Sequence, residues 1–244
     1  MSLTGTRLSD AAWPDVVRGE VLLVPVGSLE QHGPHLPLDT DTVIASAVAA
    51  GLGAALDVPV APALTYGSSG EHQTFAGTIS IGTDVLRLVV IELVRSVRTW
   101  ADRVVLVNAH GGNIAALTAA VTQLRAEGHD VAWVACATET VDLHAGRTET
   151  SLMLHLDPSR VLIERADVGD TRSLEEILPL LIAGGVGTVS PNGVLGDPEG
   201  ASAAEGAEVL AAMTTEILDL IRHGTADARG RIRPDMPAPE AVGG

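Results

Sequence analysis

Six side chains that can bind metal ions or move protons follow three apolar runs of this 244-residue sequence. They are Glu30, His32, Asp41, His110, His144 and Glu149. Carboxylates and imidazoles together suit zinc, manganese or iron. If the three runs are parallel strands, their carboxyl ends meet at one edge of a sheet, where open α/β sheets build their sites. The sequence therefore predicts a metal-dependent hydrolytic centre.

The spacing of these six residues assigns them different roles. Glu30 and His32 are two apart, so an extended segment projects both to the same side. Asp41 is predicted to bridge two metal ions, because one carboxylate can hold two ions about 3.5 to 4 Å apart. A water held there would lose a proton near neutral pH and attack an amide carbonyl. His144, five residues before Glu149, is placed to protonate the leaving nitrogen.

Each of these residues also has an ordinary structural explanation. A single loop histidine is more often a hydrogen-bonding residue than a ligand, and Asp41 could be only the N-cap of a helix. His35 and Asp39, in the same loop as Glu30, are expected to support the site or to cap that helix. The joint pattern favours one metal site, because five coincidences at one sheet edge are less plausible.

The elements that must position these residues alternate between strand and helix. This order predicts an α/β fold with a mainly parallel, doubly wound sheet. Strands are expected at 21–26, 58–64, 78–81, 103–108 and 130–137. Helices are expected at 42–56, 84–100, 114–127, 173–183 and 201–222, and the segment 144–155 is expected to pass from loop into helix. The length fits one domain over 1–222. Residues 223–244 lack periodicity and are expected to form a disordered tail.

Composition excludes several classes of partner. The formal net charge is -16 and every basic residue is arginine, which disfavours nucleic acid and anionic membrane surfaces. The single cysteine, Cys136, excludes an internal disulfide and fits a reducing compartment. The first ten residues contain no apolar signal segment. We therefore expect a cytoplasmic protein.

The loop at 65–77, TYGSSGEHQTFAG, contains the only tyrosine and the only phenylalanine of the chain. Tyr66 and Phe75 either pin the loop to the core or form the wall of a substrate pocket, where aromatic surface concentrates. The polar residues predicted to contact substrate are Glu71, His72 and Asn113.

Three ordered motifs, PVGSLEQHGPHLPLDTD, NAHGGN and HAGRTETS, resemble those of the creatininase family. The resemblance implies a cytoplasmic, oligomeric, binuclear metal amidohydrolase with an α/β/α sandwich. Carried over residue by residue, it implies as metal ligands Glu30, His32, Asp41, His110 and Glu149, and as catalytic acid or base His144. This is the assignment already made from placement.

Two positions depart from creatininase itself. Gly112 stands where creatininase has a glutamate, and Thr140 stands where it has a substrate-gating tryptophan. Creatinine is therefore not the expected substrate.

Three longer segments narrow the resemblance to one peptidase branch of the family: TYGSSGEHQTFAGTISIGT, HAGRTETSLMLHL and NGVLGDPEGASAAEG. That branch removes a modified C-terminal Val-Tyr unit from a ribosomal precursor peptide. The resemblance implies this peptide as substrate, a homo-oligomer, and two divalent ions per subunit, zinc and iron with manganese as the alternative. Two other functions stay open, an amidohydrolase for a small cyclic amide or formamide and a metal-free scaffold that only binds the peptide.

Overall fold

A computed structural model describes residues 7–137 and 142–235. Its helices are α1 (Thr40–Leu56), α2 (Thr83–Val97), α3 (Ile114–Ala126), α4 (Arg147–Leu156), α5 (Leu174–Gly184) and α6 (Ala203–His223). Its strands are β1 (Val21–Val26), β2 (Arg103–Asn108), β3 (Val131–Ala135), β4 (Thr225–Ala226) and β5 (Ile232–Arg233). None of the helices in the described ranges is long and apolar enough to cross a bilayer.

A three-stranded parallel sheet in the order β1, β2, β3 forms the centre of the fold. The strands end together, since Val26 lies opposite Asn108 and Asn108 lies opposite Ala135. Their side chains are almost entirely buried on both faces, as expected for parallel strands covered by helices. The loops that follow the three strands therefore start from one edge of the sheet.

Helices cover both faces of this sheet. Leu22 and Val24 face a core shared with α2 and α3, whereas Leu23 faces a core shared with α1, α4 and α6. This alternation along β1 produces the three-layer α/β/α arrangement that the sequence predicted. All six predicted helices are present. Each observed helix end lies within three residues of the predicted end.

Two of the predicted strands are wrong. The segment 58–64 makes only isolated bridges to β1, at Val60 and Leu64, because its two prolines lack the N–H that a ladder requires. The segment 78–81 is irregular, and its backbone bonds to two different loops rather than to a neighbouring strand.

The disordered tail predicted from residue 223 is also wrong as far as residue 235. Strands β4 and β5 pair as a short antiparallel hairpin, and Ile232 is buried in the core. Trp133 Nε1 donates to the carbonyl of Arg229 at 3.0 Å, and the guanidinium of Arg231 lies 5.3 Å from the indole centroid. Strands of two residues are too short to give a periodic signal. Residues 236–244, like Thr140, lie outside the described ranges.

Candidate metal centre

The loops that leave β1, β2 and β3 bring the six predicted residues together at the carboxyl edge of the sheet. From the β1 side come Glu30, His32 and Asp41, from the β2 side His110, and from the β3 side His144 and Glu149. Glu30 and His32 have no solvent exposure. Residues 119 positions apart in sequence thus share one buried polar cluster.

Asp41 lies between two histidines. Its Oδ1 is 3.1 Å from His32 Nε2, and its Oδ2 is 3.3 Å from His110 Nδ1. The hydroxyl of Ser28 donates to the same Oδ2 at 2.7 Å. Because Asp41 sits in the first turn of α1, the helix fixes this carboxylate in place. Its two oxygens face two separate ligands, as a bridging carboxylate requires.

Backbone carbonyls orient both histidines. The Nδ1–H of His32 donates to the carbonyl of Glu30 at 3.1 Å, and the Nε2–H of His110 donates to the carbonyl of Ser68 at 3.0 Å. When the two rings are neutral, the nitrogens that face Asp41 are the ones with lone pairs to offer a metal ion. Metal-binding histidines are held by their other ring nitrogen in this way.

Three sets of three ligand atoms lie within 4.8 Å of one another in the described residues. They are Glu30, Asp41 and His110; His32, His144 and Glu149; and Glu30, His72 and His144. The first two sets divide the predicted ligands between two positions on either side of the Asp41 carboxylate. The third adds His72, which the sequence had suggested only as a substrate contact.

Glu30 tests whether this cluster fits metal ions. Its two carboxylate oxygens are buried and accept no hydrogen bond, although His72 Nε2 and His110 Nε2 lie 3.2 and 3.1 Å away. Those contacts have ion-pair distance without hydrogen-bond geometry. A buried carboxylate without donors is costly unless it is paired or binds metal, so the cluster fits divalent ions. Such ions, when bound, activate water and polarise an amide carbonyl.

The charges of the cluster perturb one another strongly. Burial raises the pKa of Glu30 to about 7. Burial alone would lower the pKa of His32 and His110, but the surrounding carboxylates, mainly Asp41 and Glu30, raise both to about 10. Burial would raise the pKa of Asp41, yet the two histidines hold it well below its usual range. The carboxylates thus favour positive charge at both histidines.

His144 is held with one ring nitrogen toward the cluster. Its Nε2–H donates to the carbonyl of Gln31 at 2.8 Å, so its Nδ1 faces Glu30, with Oε1 3.9 Å away. Burial, together with the charges of His32 and His72, holds the pKa of His144 well below its usual range. A neutral imidazole at the edge of a cavity can accept a proton and release it again.

Gln31 is a residue that the sequence analysis missed. Its side-chain amide donates to His72 Nδ1 at 2.8 Å, and its Oε1 accepts from the backbone N–H of Gly33 at 2.8 Å. Gln31 therefore positions both His72 and His144. A glutamine carries no charge and binds metals poorly, so residue type gave no signal. Its place between Glu30 and His32 was the only available indication.

The loop after β1 also contains one imidazole and one carboxylate that lie outside the cluster, those of His35 and Asp39. The ring of His35 is hydrogen-bonded through Nε2 to the hydroxyl of Thr150 at 2.9 Å. Asp39 pairs with Arg160 at the start of α1. Both residues support the loop, as the sequence had suggested.

The structure separates the five residues predicted to contact substrate. Glu71 and His72 line the cavity above the metal centre. Asn113 has no solvent exposure, and its amide ties the loops after β1 and β2 together through hydrogen bonds. Phe75 packs against a small apolar cluster, and Tyr66 is half exposed; neither lines that cavity. Phe75 therefore fits the alternative of a loop anchor, whereas the side chain of Tyr66 is half exposed to solvent.

The cavity over the metal centre has a volume of about 560 Å³ and a largely apolar side. We call its five exposed apolar residues the apolar wall: Ile114, Leu143, Leu174, Leu178 and Ile182. Three of them come from α5, where Ile182 is 78% exposed. The sequence predicted this helix but not the face that it turns to the site.

A buried carboxylate–imidazole cluster at the carboxyl edge of an α/β/α sandwich defines a metal-dependent hydrolase. The family model described as creatininase, creatinine amidohydrolase, matches residues 9–221. The chain belongs to the creatininase family. It is an enzyme that hydrolyses C–N bonds of amides.

Relatives cover most of the chain. A mycofactocin precursor peptide peptidase of Mycobacterium tuberculosis is 53% identical over 231 residues, 91% of this chain and 88% of the relative. The protein of the same name from Mycobacterium ulcerans is 48% identical over 231 residues, 91% of this chain and 90% of the relative. A solved structure described as "Creatininase Mn" superposes with a TM-score of 0.74 at 26% identity, covering 91% of this chain and 98% of that one.

Proposed function

We propose that this chain is a binuclear-metal peptidase that removes the modified C-terminal Val-Tyr-derived unit from the mycofactocin precursor peptide. The observation that carries the proposal is the placement of Asp41 between His32 Nε2 and His110 Nδ1, at 3.1 and 3.3 Å. The proposed metal ligands are Glu30, His32, Asp41, His110 and Glu149. The proposed ions are zinc and iron, with manganese as the alternative.

In this proposal the chain's own residues orient the substrate amide and move its proton. His144 lies at the edge of the same cavity, so it can take a proton during attack on the carbonyl and deliver it to the departing nitrogen. The carbonyl of Gln31 keeps the imidazole in the required tautomer. The near-complete burial of Glu30 and His32 excludes bulk water from the floor of the cavity.

The apolar wall supports a peptide substrate. A cavity of about 560 Å³ lies within the range of ordinary ligand sites, about 300 to 1,000 Å³. A unit derived from valine and tyrosine carries apolar and aromatic surface, which Leu174, Leu178 and Ile182 can cover. The wall adjoins the metal centre directly, so the apolar unit would lie next to the amide that is cut.

Mass spectrometry of the modified precursor tests the proposed substrate. Enzyme loaded with zinc and iron should release the small C-terminal product, whereas Asp41→Asn should leave the peptide intact. A wild-type enzyme that is fully loaded with metal but does not shorten the peptide would contradict the proposal.

A second candidate is hydrolysis of a small cyclic amide or formamide. It is favoured by the family description and by the metal centre, which would serve any amide carbonyl. A kcat/KM on such a compound above that on the peptide would favour this alternative. The third function left open by the sequence, a metal-free scaffold that only binds the peptide, would be favoured by a missing ligand. Each of the five proposed ligands, and His144, is present at the cluster.

The proposal includes a cytoplasmic, homo-oligomeric enzyme. Symmetric homo-oligomers are a common assembly of soluble proteins, and Leu180 of α5, which is exposed and outside the cavity lining, offers apolar contact area. Light scattering should give a mass that is a multiple of the 25.1 kDa chain. A monomeric mass would remove this part of the proposal.

A further inference from the structure

The side-chain amide of Gln31 has an orientation that two backbone groups determine. Its oxygen accepts from the N–H of Gly33 at 2.8 Å, and its nitrogen donates to the carbonyl of Gly193 at 3.0 Å. The reverse orientation would place oxygen against oxygen and N–H against N–H. A Cβ on Gly193, where φ is +83°, would overlap the amide oxygen, so a glycine at that position makes room for this side chain. The direction of both amide N–H groups is therefore fixed.

The second N–H of this amide determines where the ring of His72 carries its proton. It points to His72 Nδ1, and the two nitrogens are 2.8 Å apart. Because Nδ1 must accept this hydrogen bond, the single proton of the neutral ring is on Nε2. His144 does not compete for the amide, since its own Nε2–H donates to the backbone carbonyl of Gln31 at 2.8 Å. His72 therefore presents an N–H, and not a lone pair, at Nε2.

That N–H lies beside the Glu30 carboxylate. His72 Nε2 is 3.2 Å from Glu30 Oε1, and the two side chains are 5% and 0% exposed. At this distance the N–H dipole stabilises a buried negative charge even though the two groups are not aligned as a hydrogen bond. We infer that His72 is a positioning residue, which holds the Glu30 carboxylate through Nε2–H and does not itself bind metal. The inference rests on the proposed metal centre, in which Glu30 is a ligand.

Distances alone would also allow His72 to be a ligand, because one atom each of Glu30, His72 and His144 lie within 4.8 Å of one another. Binding through Nε2 would move the ring proton to Nδ1, where it would face the N–H of Gln31. The amide cannot turn over to accept that proton without breaking its bonds to the backbone. The hydrogen bonds of Gln31 therefore favour the positioning role over the ligand role.

The backbone of His72 is held as well. Its N–H donates to the carbonyl of Ser69 at 3.1 Å, and its carbonyl accepts from the N–H of Phe75 at 3.0 Å. The ring is thus fixed both from its own loop and through the side chain of Gln31. A group that orients a metal-binding carboxylate needs this kind of rigid support.

NMR of the full-length protein with isotope-labelled histidine measures the position of the His72 proton directly. The ring signals are assigned by comparison with His72→Gln. We expect the proton on Nε2 both in metal-free protein and with zinc bound. A proton on Nδ1, or zinc bound to either ring nitrogen, would overturn the inference. A wild-type protein that binds no zinc would contradict the proposed function instead, and the metal-free spectrum would still test the inference.

Two variants separate the N–H of His72 from the bulk of its ring. His72→Gln keeps an N–H donor near the position of Nε2, whereas His72→Leu removes it. Zn²⁺ affinity is measured by competition with a chromophoric chelator. It should fall about 10- to 100-fold in His72→Leu, the range found when groups that orient metal ligands are removed. It should stay within a few-fold of wild type in His72→Gln, and the Co²⁺ absorption spectrum of that variant should be unchanged, because no ligand is lost.

The control is His223→Leu, at a side chain that is 73% exposed, and its Zn²⁺ affinity should equal that of wild type. Wild-type affinity in His72→Leu would overturn the inference, even if the variant unfolds more easily, because the ring would then serve packing only. Loss of an ion and a changed cobalt spectrum in His72→Gln would overturn it as well, since a ligand behaves in this way. If His72→Leu does not fold, the NMR measurement and His72→Gln still decide. Failure here leaves the proposed peptidase activity untouched.

Discussion

The floor and the wall of the cavity are built in opposite ways. The floor is a buried cluster of carboxylates and imidazoles drawn from three strand exits, and its central member, Asp41, is fixed by the first turn of a helix. The wall consists of exposed apolar side chains, mostly from the single short helix α5. The floor hides polar groups from water, and the wall presents apolar groups to water. Each region is therefore suited to a partner outside the chain, metal ions for the floor and apolar substrate for the wall.

This contrast predicts that substitutions in the two regions have different effects, on the chemical step in the floor and on substrate affinity in the wall. Changes in the floor should alter the rate of the chemical step and the metal content, because its residues are coupled through short contacts. Changes in the wall should alter the affinity for substrate and leave the metal content intact. The largest effects are therefore expected in the floor.

Asp41→Asn should have the largest effect on activity. The amide keeps the shape of the side chain but removes the charge shared between His32 and His110. We expect kcat/KM on the peptide to fall at least about 1,000-fold, equivalent to about 4 kcal/mol of transition-state stabilisation, with loss of bound metal. Elemental analysis and steady-state kinetics measure both. Asp39→Asn, in the same loop but paired with Arg160, is the matched control and should stay within a few-fold of wild type.

His144→Asn should reduce kcat about 100-fold or more, the usual contribution of a positioned acid or base. Unlike Asp41→Asn, this variant should keep both metal ions if His144 acts on protons rather than as a ligand. Metal analysis of the purified variant decides between these roles. Loss of one ion together with activity would reassign His144 to the ligand set that it forms with His32 and Glu149.

Stability should depend on pH differently with and without metal. The folded-state pKa values of His32 and His110, about 10, lie above the ordinary value of 6.5. A raised histidine pKa contributes stability that is complete below about pH 6.5 and is lost as pH rises toward 10. Metal-free protein should therefore lose on the order of several kcal/mol of unfolding free energy between pH 7 and 10.

Urea unfolding at pH 7, 8 and 9, with a chelator or with zinc, measures this difference. Zinc should flatten the decline, because the ion replaces the protons on the same groups. His32→Gln should also flatten it in metal-free protein. Parallel curves with and without zinc would show that floor charges do not govern stability in this range.

Leu178→Asn should have the smallest of these effects, and only on one substrate class. Loss of apolar contact should raise KM for the peptide about tenfold, equivalent to about 1.4 kcal/mol, with kcat and metal content unchanged. A small formamide substrate, if turned over, should be unaffected. Exposed Val85 on α2, outside the cavity lining, offers the matched control Val85→Asn. A fall in kcat would mean that the wall also orients the reacting amide.

The sequence identified the floor much better than the wall. Continuous apolar runs predict buried parallel strands, and ligand residues directly after them predict a shared edge, so Glu30, His32 and His110 could be brought together without coordinates. Gln31 could not be found in this way, because its role depends on the directions of two imidazole rings. The wall could not be found either, since exposed leucines on α5 look like those of any amphipathic helix.

The remaining errors have local physical causes. The segment 58–64 is as apolar as a strand, but its two prolines interrupt the ladder, and the segment forms only isolated bridges to β1. For Tyr66 and Phe75 the sequence left two alternatives open, a loop anchor or a pocket wall, because the rarity of aromatic residues does not determine where a ring packs. The hairpin of β4 and β5 depends on contacts with β3, almost one hundred residues earlier, which no local pattern records.

That hairpin bears on how the protein avoids self-association. β3 is the outer strand of the three-stranded sheet, and the outer edge of such a strand is a template for pairing with another molecule. The N–H of Trp133 at this edge donates to the carbonyl of Gly230 at 2.9 Å, and the hairpin lies along it. A chain cut after α6 would keep every proposed metal ligand and still lose this cover. We expect such a shortened chain to aggregate through the uncovered edge of β3 before its catalytic activity is affected.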